Sequence, residues 1–302
     1  MRDDPAPGQM DGVRSPIPRF RGRSRRCLVG ALTGLLLILS SPPAVSEPAG
    51  GVPERGSAYM GIGVLAHDGD TGTRPPAAAR ASQTEGVDVS SHQGDVDWQT
   101  LWDSGTKWAY TKATEGTYYT NPYFTQQYDG SYGIGMVRGA YHFATPDTTG
   151  GAAQADWFVD HGGGWSQDGK TLPGALDIEW NPYGDACYGK SQSGMVGWIR
   201  DFLDRYKART GRDAVIYTAT NWWIQCTGDH TGFGTTNPLW IARYASTVGP
   251  LPAGWSSYTM WQYTSSGMTV GDHDRFNGSQ DTLRDFASAE HQAVVQGSSD
   301  SR

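Results

Sequence analysis

Four acidic side chains stand in sequence contexts that suit acid–base chemistry. Asp177 and Glu179 fall in the segment PGALDIEW, Asp88 in GVDVSSHQG and Asp272 in TVGDHDRFNGS. Residues i and i+2 of a strand face the same side, so Asp177 and Glu179 share one face. Two half-buried carboxyl groups at such a short separation cannot both ionise easily, so the pKa of one of them rises toward neutrality. We therefore predict Glu179, the longer side chain, as general acid and Asp177 as its ionised partner; an ordinary strand end with two solvated acids is the alternative.

The elements that must hold these acids follow an alternating pattern. Short apolar runs predict strands at 86–89, 108–112, 137–143, 175–179, 214–218, 239–243 and 259–263. Helical spacing of apolar residues predicts helices at 193–209 and, less clearly, at 122–132 and 152–161. This alternation indicates an α/β fold with a mostly parallel, closed barrel, whose chemistry collects where the strands end. An open doubly wound sheet is the rival, but no Gly-rich phosphate loop follows the first strand.

Aromatic residues near the predicted strand ends indicate the class of substrate. Flat aromatic faces stack against the apolar faces of sugar rings, although many such residues serve as core side chains instead. Tyr119 and Trp223 are candidate substrate-binding residues of this kind. Lys112 is expected to pair with an acid in the barrel interior.

The N-terminal region has the composition of an export signal. A basic stretch at 19–26 precedes an uncharged run at 27–39, and small residues at 44–46 follow. The run is too short to cross about 30 Å of hydrocarbon, which argues against a membrane anchor. We predict a signal peptide over 1–46, a disordered propeptide or linker over 47–85, a catalytic domain over 86–286 and a flexible tail over 287–302. Secretion would use the general route or, given Arg25-Arg26, the twin-arginine route.

Charge and cysteine content restrict the partners. The formal net charge of the 302 residues is −7, which disfavours nucleic-acid binding. Cys187 and Cys226 remain after signal removal and are expected to form a disulfide in an oxidising compartment, the alternative being two buried thiols. No metal-ligand spacing is present, so we predict neither a metal nor another cofactor. We expect a monomer that has no membrane contact once the signal is removed.

An ordered set of segments identifies a family resemblance. GVDVSSHQGDVDW, KATEG, GAYHF, LDIEW, LWIARY and WQYT, followed by an Asp before RFNGS, resemble glycoside hydrolase family 25, the Chalaropsis-type lysozymes. The resemblance is colinear over about residues 86–280. It implies an irregular, flattened TIM-like (β/α) barrel with about eight strands and fewer helices. It also implies cleavage of the β-1,4 bond between N-acetylmuramic acid and N-acetylglucosamine in peptidoglycan glycan strands.

The resemblance also assigns roles. It makes Glu179 the proton donor, Asp177 its partner acid, and Asp88 and Asp272 the acids of the groove floor. It further places three aromatic residues in the groove, namely Tyr141, Tyr217 and Trp261. The family's usual late motif is Asp-apolar-Asn, whereas Asp272-His273-Asp274 stands here. Asp274 is therefore an alternative to Asp272.

Two mechanisms and two other functions remain open at this stage. Asp177 could orient the substrate's own 2-acetamido group, giving retention, and its position beside Glu179 favours this route. Alternatively, Asp88 or Asp272 could activate a water on the opposite face, giving inversion. The competing functions are a chitinase-like acetamido-sugar hydrolase, whose longer acidic motif is absent before Asp177, and a non-catalytic cell-wall-binding protein on the same scaffold.

Overall fold

The structure is a computed structural model that describes residues 51–68, 83–267 and 269–288. The predicted signal peptide over 1–46 lies outside the described residues, as does the predicted tail from residue 289 onward.

Nine strands form one sheet that closes on itself. They are β1 (Thr84–Val89), β2 (Trp108–Glu115), β3 (Tyr119–Thr120), β4 (Val137–Phe143), β5 (Ala175–Asp177), β6 (Val215–Ala219), β7 (Leu239–Ala242), β8 (Met260–Thr264) and β9 (Asp272–Phe276). Hydrogen-bonded neighbours follow the order β1-β9-β8-β7-β6-β5-β4-β2-β3, and β1 also pairs with β2. Eight strands therefore close into a barrel, with β3 added beside β2. The predicted α/β barrel of about eight strands is confirmed.

The barrel is parallel except at one strand. Each neighbouring pair from β1 through β2 and β4 to β8 is parallel. Strand β9 is antiparallel to both of its neighbours, β8 and β1. The sequence predicted seven of the nine strands and missed the short strands β3 and β9. Both carry polar side chains on residues that read as loop, so apolar periodicity could not reveal them.

Seven helices are found within the described residues. They are α1 (Val64–His67), α2 (Trp98–Asp103), α3 (Phe124–Gly133), α4 (Gly151–Phe158), α5 (Gln192–Thr210), α6 (Thr220–Thr227) and α7 (Gln280–Ser288). The predicted helix at 193–209 is confirmed as α5, which begins after the cap Ser191 and ends at Gly211 in the left-handed conformation. Its buried face packs on α4. Among these helices, none combines the length and hydropathy that a membrane crossing requires.

Aromatic rings fill the barrel interior beneath the strand ends. The ring of Tyr110 lies 4.8 Å from that of Trp240, which in turn contacts Trp108 at 5.8 Å. Gly86 and Gly139 make room for these rings, because a Cβ at either position would lie within 2.4 Å of the ring of Trp108 or Tyr110. The interior below the acids is therefore mostly aromatic, and surroundings of such low polarity disfavour the ionised form of a carboxyl group.

The predicted disulfide is confirmed. Cys187 and Cys226 are bonded, with their Cα atoms 5.3 Å apart. Cys187 lies in the loop that follows β5, and Cys226 lies in α6, which follows β6. The bond ties two neighbouring connections at the end of the barrel where the parallel strands finish.

Residues 51–68, hereafter the N-terminal segment, are ordered. The segment belongs to the same compact unit as the barrel and ends in the short helix α1. Buried and accessible residues alternate from Gly56 to Met60, as in an extended chain with one face covered. The expectation of disorder over 47–85 is therefore wrong for this part, because Met60 and Val64 find an apolar surface to cover. The barrel domain also extends slightly beyond 86–286, since β1 begins at Thr84 and Ala287 is buried in α7.

Candidate active site

The structure brings the four predicted acids to one end of the barrel. Asp88 lies near the end of β1, Asp177 ends β5, and Glu179 follows two residues later. Because β9 runs antiparallel, its first residue, Asp272, lies at the same end and pairs directly with Asp88. Burial raises the pKa of both Asp177 and Asp272, and neighbouring charges raise them further. The charges of Glu179 and Asp88 act on Asp177, and those of Asp88 and Glu179 act on Asp272.

Glu179 is fully buried and is held by two backbone amides of the N-terminal segment. Its Oε1 accepts a hydrogen bond from the Gly61 N–H at 2.5 Å, and its Oε2 accepts one from the Gly63 N–H at 3.3 Å. Burial raises the pKa of Glu179 to about 8, although these two amides act in the opposite direction. The protonated form that a general acid needs is therefore favoured at neutral pH.

Asp177 is the second buried acid of the pair. No amide or hydroxyl donates to its carboxyl oxygens, and its hydrogen-bond partner is the carboxyl group of Glu179. Burial raises its pKa well above the ordinary range, the charge of Glu179 raises it further, and the charge of Lys112 opposes the shift. This differs from the expectation of an ionised Asp177. The physical reason is that no donor stabilises the carboxylate while the groove is covered.

Asp88 and Asp272 share one donor, Gln262. Its Nε2 donates to Asp88 Oδ2 at 2.8 Å and to Asp272 Oδ2 at 3.2 Å. Its Oε1 accepts from Tyr217 at 2.5 Å and from Tyr244 at 3.0 Å. Burial raises the pKa of Asp88 to about 7, and the hydrogen bond from Gln262 opposes that rise. Sequence reasoning missed Gln262 although it stands in the WQYT segment.

The geometry favours Asp272 over Asp274 as the late site acid. Both side chains face inward because they stand two apart on β9. Asp272 lies level with Asp88 at the groove, whereas Asp274 lies level with Gly86, one layer deeper. Asp274 accepts a hydrogen bond from Trp240 Nε1 at 3.0 Å and is fully buried. It also forms a side-chain hydrogen bond with Asp88, so Asp274 contacts the acids of the groove from the layer beneath them.

Three of the five predicted aromatic residues reach the groove. Tyr141 accepts a hydrogen bond from the Met60 N–H at 3.4 Å, and Tyr217 donates to Gln262. The ring of Tyr119 lies against the N-terminal segment, since a Cβ added to Gly56 would sit 2.6 Å from it.

Trp223 and Trp261 lie elsewhere, contrary to expectation. Trp223 is on the buried side of α6, with its ring 5.2 Å from that of Trp255. Trp261 donates to the Arg243 carbonyl at 2.8 Å and packs among other aromatic rings. Strand alternation along β8 explains the second case, because Gln262 faces the acids and its neighbour must face away.

A buried ion pair stands beside the acids. Lys112 Nζ lies 2.6 Å from Glu115 Oε2, and both side chains are fully buried, which confirms the expected pairing of Lys112 with an interior acid. Glu115 also accepts hydrogen bonds from Tyr118 at 2.7 Å and Tyr183 at 2.6 Å. Lys112 and Glu115, both from the KATEG segment, are therefore buried polar residues of the groove wall.

The described ranges contain no group of three or more His, Cys, Asp or Glu side chains placed to hold a metal ion. The site contains a carboxyl group whose pKa burial raises to about 8, a second acid on the same face, and two further acids on a common donor. Such an arrangement can protonate a leaving oxygen and stabilise a developing positive charge, as glycosidic cleavage requires.

Comparison with known proteins decides the family. Residues 87–272 match the sequence model of Glycosyl hydrolases family 25. The chain belongs to this family. The predicted resemblance is confirmed, and the chain is a glycoside hydrolase.

Relatives of two kinds are similar to this family 25 chain. N,O-diacetylmuramidase of Chalaropsis sp is 48% identical over 207 residues, covering 67% of this chain and 98% of its own length. A solved muramidase structure from Acremonium alcalophilum is 52% identical, covers 68% of this chain and 99% of that chain, and superimposes with a TM-score of 0.67. Each of these two similarities covers about as many residues as the barrel domain contains.

Lysozyme M1 of Streptomyces globisporus is similar over a longer stretch. It is 42% identical over 278 residues, which covers 88% of this chain and 95% of the relative. The 12% of this chain left uncovered is about 36 residues, which is fewer than the 50 residues that precede Gly51. The N-terminal segment therefore lies within the region of similarity.

Proposed function

We propose that this family 25 hydrolase is a muramidase that cleaves the β-1,4 bond between N-acetylmuramic acid and N-acetylglucosamine in peptidoglycan. The observation that carries the proposal is the convergence of Glu179, Asp177, Asp88 and Asp272 at one end of the barrel. Relatives named lysozyme and N,O-diacetylmuramidase support the same substrate.

Glu179 is the general acid in this proposal. It protonates the leaving glycosidic oxygen. Burial raises its pKa while the N-terminal segment covers the groove, and we expect a bound glycan that covers the same carboxyl group to act in the same direction. Asp177 lies on the same side and orients the substrate's 2-acetamido group, whose carbonyl oxygen attacks the anomeric carbon. Water then opens the cyclic intermediate and returns the proton to Glu179. Asp88 and Asp272 bind the sugar at the groove floor.

The setting of the enzyme is part of the proposal. We infer export with the signal peptide over 1–46, by the general or the twin-arginine route, and action outside the cell as a monomer. The acidic net charge and the buried acids of the groove offer nothing that would attract nucleic acid.

Replacement of the acid tests the assignment. Glu179→Gln is expected to lower turnover at least about a hundredfold, because the amide cannot deliver a proton. The measurement is release of reducing ends from purified peptidoglycan, with mass spectrometry of the products. Asp129→Asn, on the exposed side of α3, is the matched control and should retain full activity.

The products also separate the competing functions. Muramic acid at the reducing ends supports the muramidase, whereas glucosamine at those ends supports the chitinase-like alternative. A protein that binds walls and releases no product would be the non-catalytic alternative. Wall clearing by Glu179→Gln at the wild-type rate would overturn the assignment of the acid.

The stereochemical course tests Asp177. Attack by the acetamido oxygen followed by water gives net retention, so the first-formed product should be the β-anomer. Proton NMR of the product, recorded before mutarotation, distinguishes the two anomers. An α-anomer would remove the assisted route and transfer the second role to Asp88 or Asp272.

A further inference from the structure

The N-terminal segment covers the proposed active site. Met60 and Val64 are fully buried against the barrel mouth. The amides of Gly61 and Gly63 occupy both carboxyl oxygens of Glu179. With these two amides packed on its oxygens, the carboxyl group of Glu179 is not accessible to a glycosidic oxygen.

The rest of the groove also binds the backbone of the segment. Lys112 donates to the carbonyls of Gly56 and Ala58 at 3.1 and 2.5 Å. The N–H of Gly56 donates to Glu115 at 2.9 Å, and that of Ala58 donates to Tyr183 at 3.1 Å. Main-chain recognition of an extended peptide in this way gives affinity without requiring large side chains.

The same pattern continues directly over the acids. The Met60 N–H donates to Tyr141 at 3.4 Å, and the Met60 carbonyl accepts from Gln262 at 3.4 Å. The Tyr244 hydroxyl, which donates to Gln262, also lies 3.5 Å from the Gly61 carbonyl. The side chains that hold Asp88 and Asp272 thus also hold the segment.

Contacts at both ends anchor the segment across the groove. Arg55 lies 2.6 Å from Asp147, with its guanidinium 4.9 Å from the centre of the Tyr183 ring. At the other end, Asp68 accepts a hydrogen bond from Trp180 Nε1 at 2.8 Å, and His67 stacks on the same indole at 4.3 Å. The segment therefore spans the mouth from wall to wall.

Glycines allow the close approach. Gly61 has φ +85°, and a Cβ there would lie 2.1 Å from the Tyr244 hydroxyl. A Cβ on Gly63 would lie 2.4 Å from Cβ of Trp180. By contrast, a Cβ on Gly51 would meet no atom within 4 Å. At Gly61 and Gly63 the backbone therefore lies so close to the groove wall that no side chain fits.

We propose that residues 51–68 are an intramolecular peptide inhibitor bound in the glycan groove, and that a protease releases it by hydrolysing one peptide bond between Asp68 and Gln83. This inference rests on the proposed muramidase function of the same groove. Water adds across the broken bond, leaving a carboxylate on the segment and an amine on the barrel chain. No other reactant is needed.

Because residues 51–68 are covalently linked to the barrel, even a weak intrinsic affinity for the groove is enough to keep it closed. A short tether gives the segment an effective concentration on the order of millimolar at the groove. A segment with roughly micromolar intrinsic affinity would then leave about one groove in a thousand open. After cleavage that advantage is lost on dilution, so one cut changes a closed enzyme into an open one.

The first experiment weakens the segment within the intact exported chain. Gly61→Val combined with Gly63→Val should raise the initial rate of peptidoglycan hydrolysis at least about tenfold, because both side chains collide with the groove wall. Gly51→Val is the matched control and should leave the rate unchanged. Equal rates for the double variant and the wild-type chain, both folded by circular dichroism, would overturn the proposal.

The second experiment leaves the segment sequence intact. A recognition sequence for a site-specific protease is inserted between Gly72 and Thr73, and the folded protein is cut and then separated from the released peptide. The rate should rise at least about tenfold on cutting. A synthetic peptide of residues 51–68, added in excess, should lower it again. A rate that does not respond to the cut or to the peptide contradicts the inhibitor.

Peptide binding separates failure of this inference from failure of the muramidase function. A fluorescent 51–68 peptide should bind the cut protein, and soluble peptidoglycan tetrasaccharide should displace it. Displacement by a protein that releases no product would support the inhibitor site and refute the hydrolase role. Binding that the tetrasaccharide does not affect would refute the shared groove, whatever the activity.

Discussion

Gln262 joins the two aspartates of the groove to the two tyrosines beside them. Its Nε2 donates to Asp88 and Asp272 and also lies 3.4 Å from the Met60 carbonyl, while its Oε1 accepts from Tyr217 and Tyr244. Buried polar networks of this kind fix their members in one arrangement when every partner is satisfied. We assign Gln262 as a positioning residue for the acids of the groove floor.

Gln262→Leu is expected to lower kcat/KM for peptidoglycan about tenfold to a hundredfold, because Asp88 loses its donor. The hydrogen bond from Gln262 holds down the pKa of Asp88, so its loss should move the acidic limb of the pH–rate profile to higher pH. Gln225→Leu, exposed on α6, is the control. A lower rate with an unmoved profile would indicate a purely structural role.

The sequence predicted the acidic residues of the groove, but not Gln262, which donates hydrogen bonds to two of them. Asp177 and Glu179 stand out because two acids interrupt an apolar strand. Alternation shows that Trp261 and Gln262 face opposite sides, but not which of them faces inward, since that depends on the pairing of β8 with its neighbours. Trp261 was predicted to bind sugar because its ring is aromatic, but in the structure Gln262 is the residue that faces the acids.

Connections between strands carry much of the groove, and the disulfide fixes two of them. The loop after β5 bears Cys187, and α6 after β6 bears Cys226, so the bond restrains the wall next to Glu179. Its pairing was predictable because only two cysteines follow the predicted signal peptide. The ordered N-terminal segment was not, since a chain rich in Gly and Ala shows no periodicity until the surface it covers is known.

Removal of the disulfide is a test at this scale. Cys187→Ser with Cys226→Ser should lower the free energy of unfolding by roughly 3–4 kcal/mol, because the closed loop restricts the unfolded chain. Urea titration followed by tryptophan fluorescence measures the change. Reduction of the wild-type protein should lower the midpoint to a similar value, and an unchanged midpoint in both would contradict a stabilising bond.

The molecule as a whole carries an unusual number of acids in its interior. Burial raises the pKa of Asp88 to about 7 and that of Glu179 to about 8, and raises those of Asp177, Asp272 and Asp274 well above their ordinary range. The folded state therefore holds protons that the unfolded chain releases near pH 4. Between the pKa values of the unfolded chain and the raised values of the folded state, the folded state binds more protons. The free energy of unfolding therefore falls as the pH rises through this range.

The melting temperature is accordingly expected to decrease between about pH 5 and about pH 8. Asp274→Asn should flatten the decrease, since it removes one acid whose pKa is raised by burial. Asp129→Asn, with its exposed side chain, should preserve the wild-type slope. Scanning calorimetry across the interval measures both, and a melting temperature that climbs toward pH 8 would contradict the raised pKa values.

The antiparallel strand β9 places the last part of the barrel chain between β8 and β1. Asp272 therefore reaches Asp88 only after the ribosome has passed all the other strands of the barrel. A polypeptide released before that point would carry three of the four acids and an open seam where β9 belongs. The cell thus obtains a complete cluster only once β9 has been made, and by then the chain already carries the segment that covers the cluster.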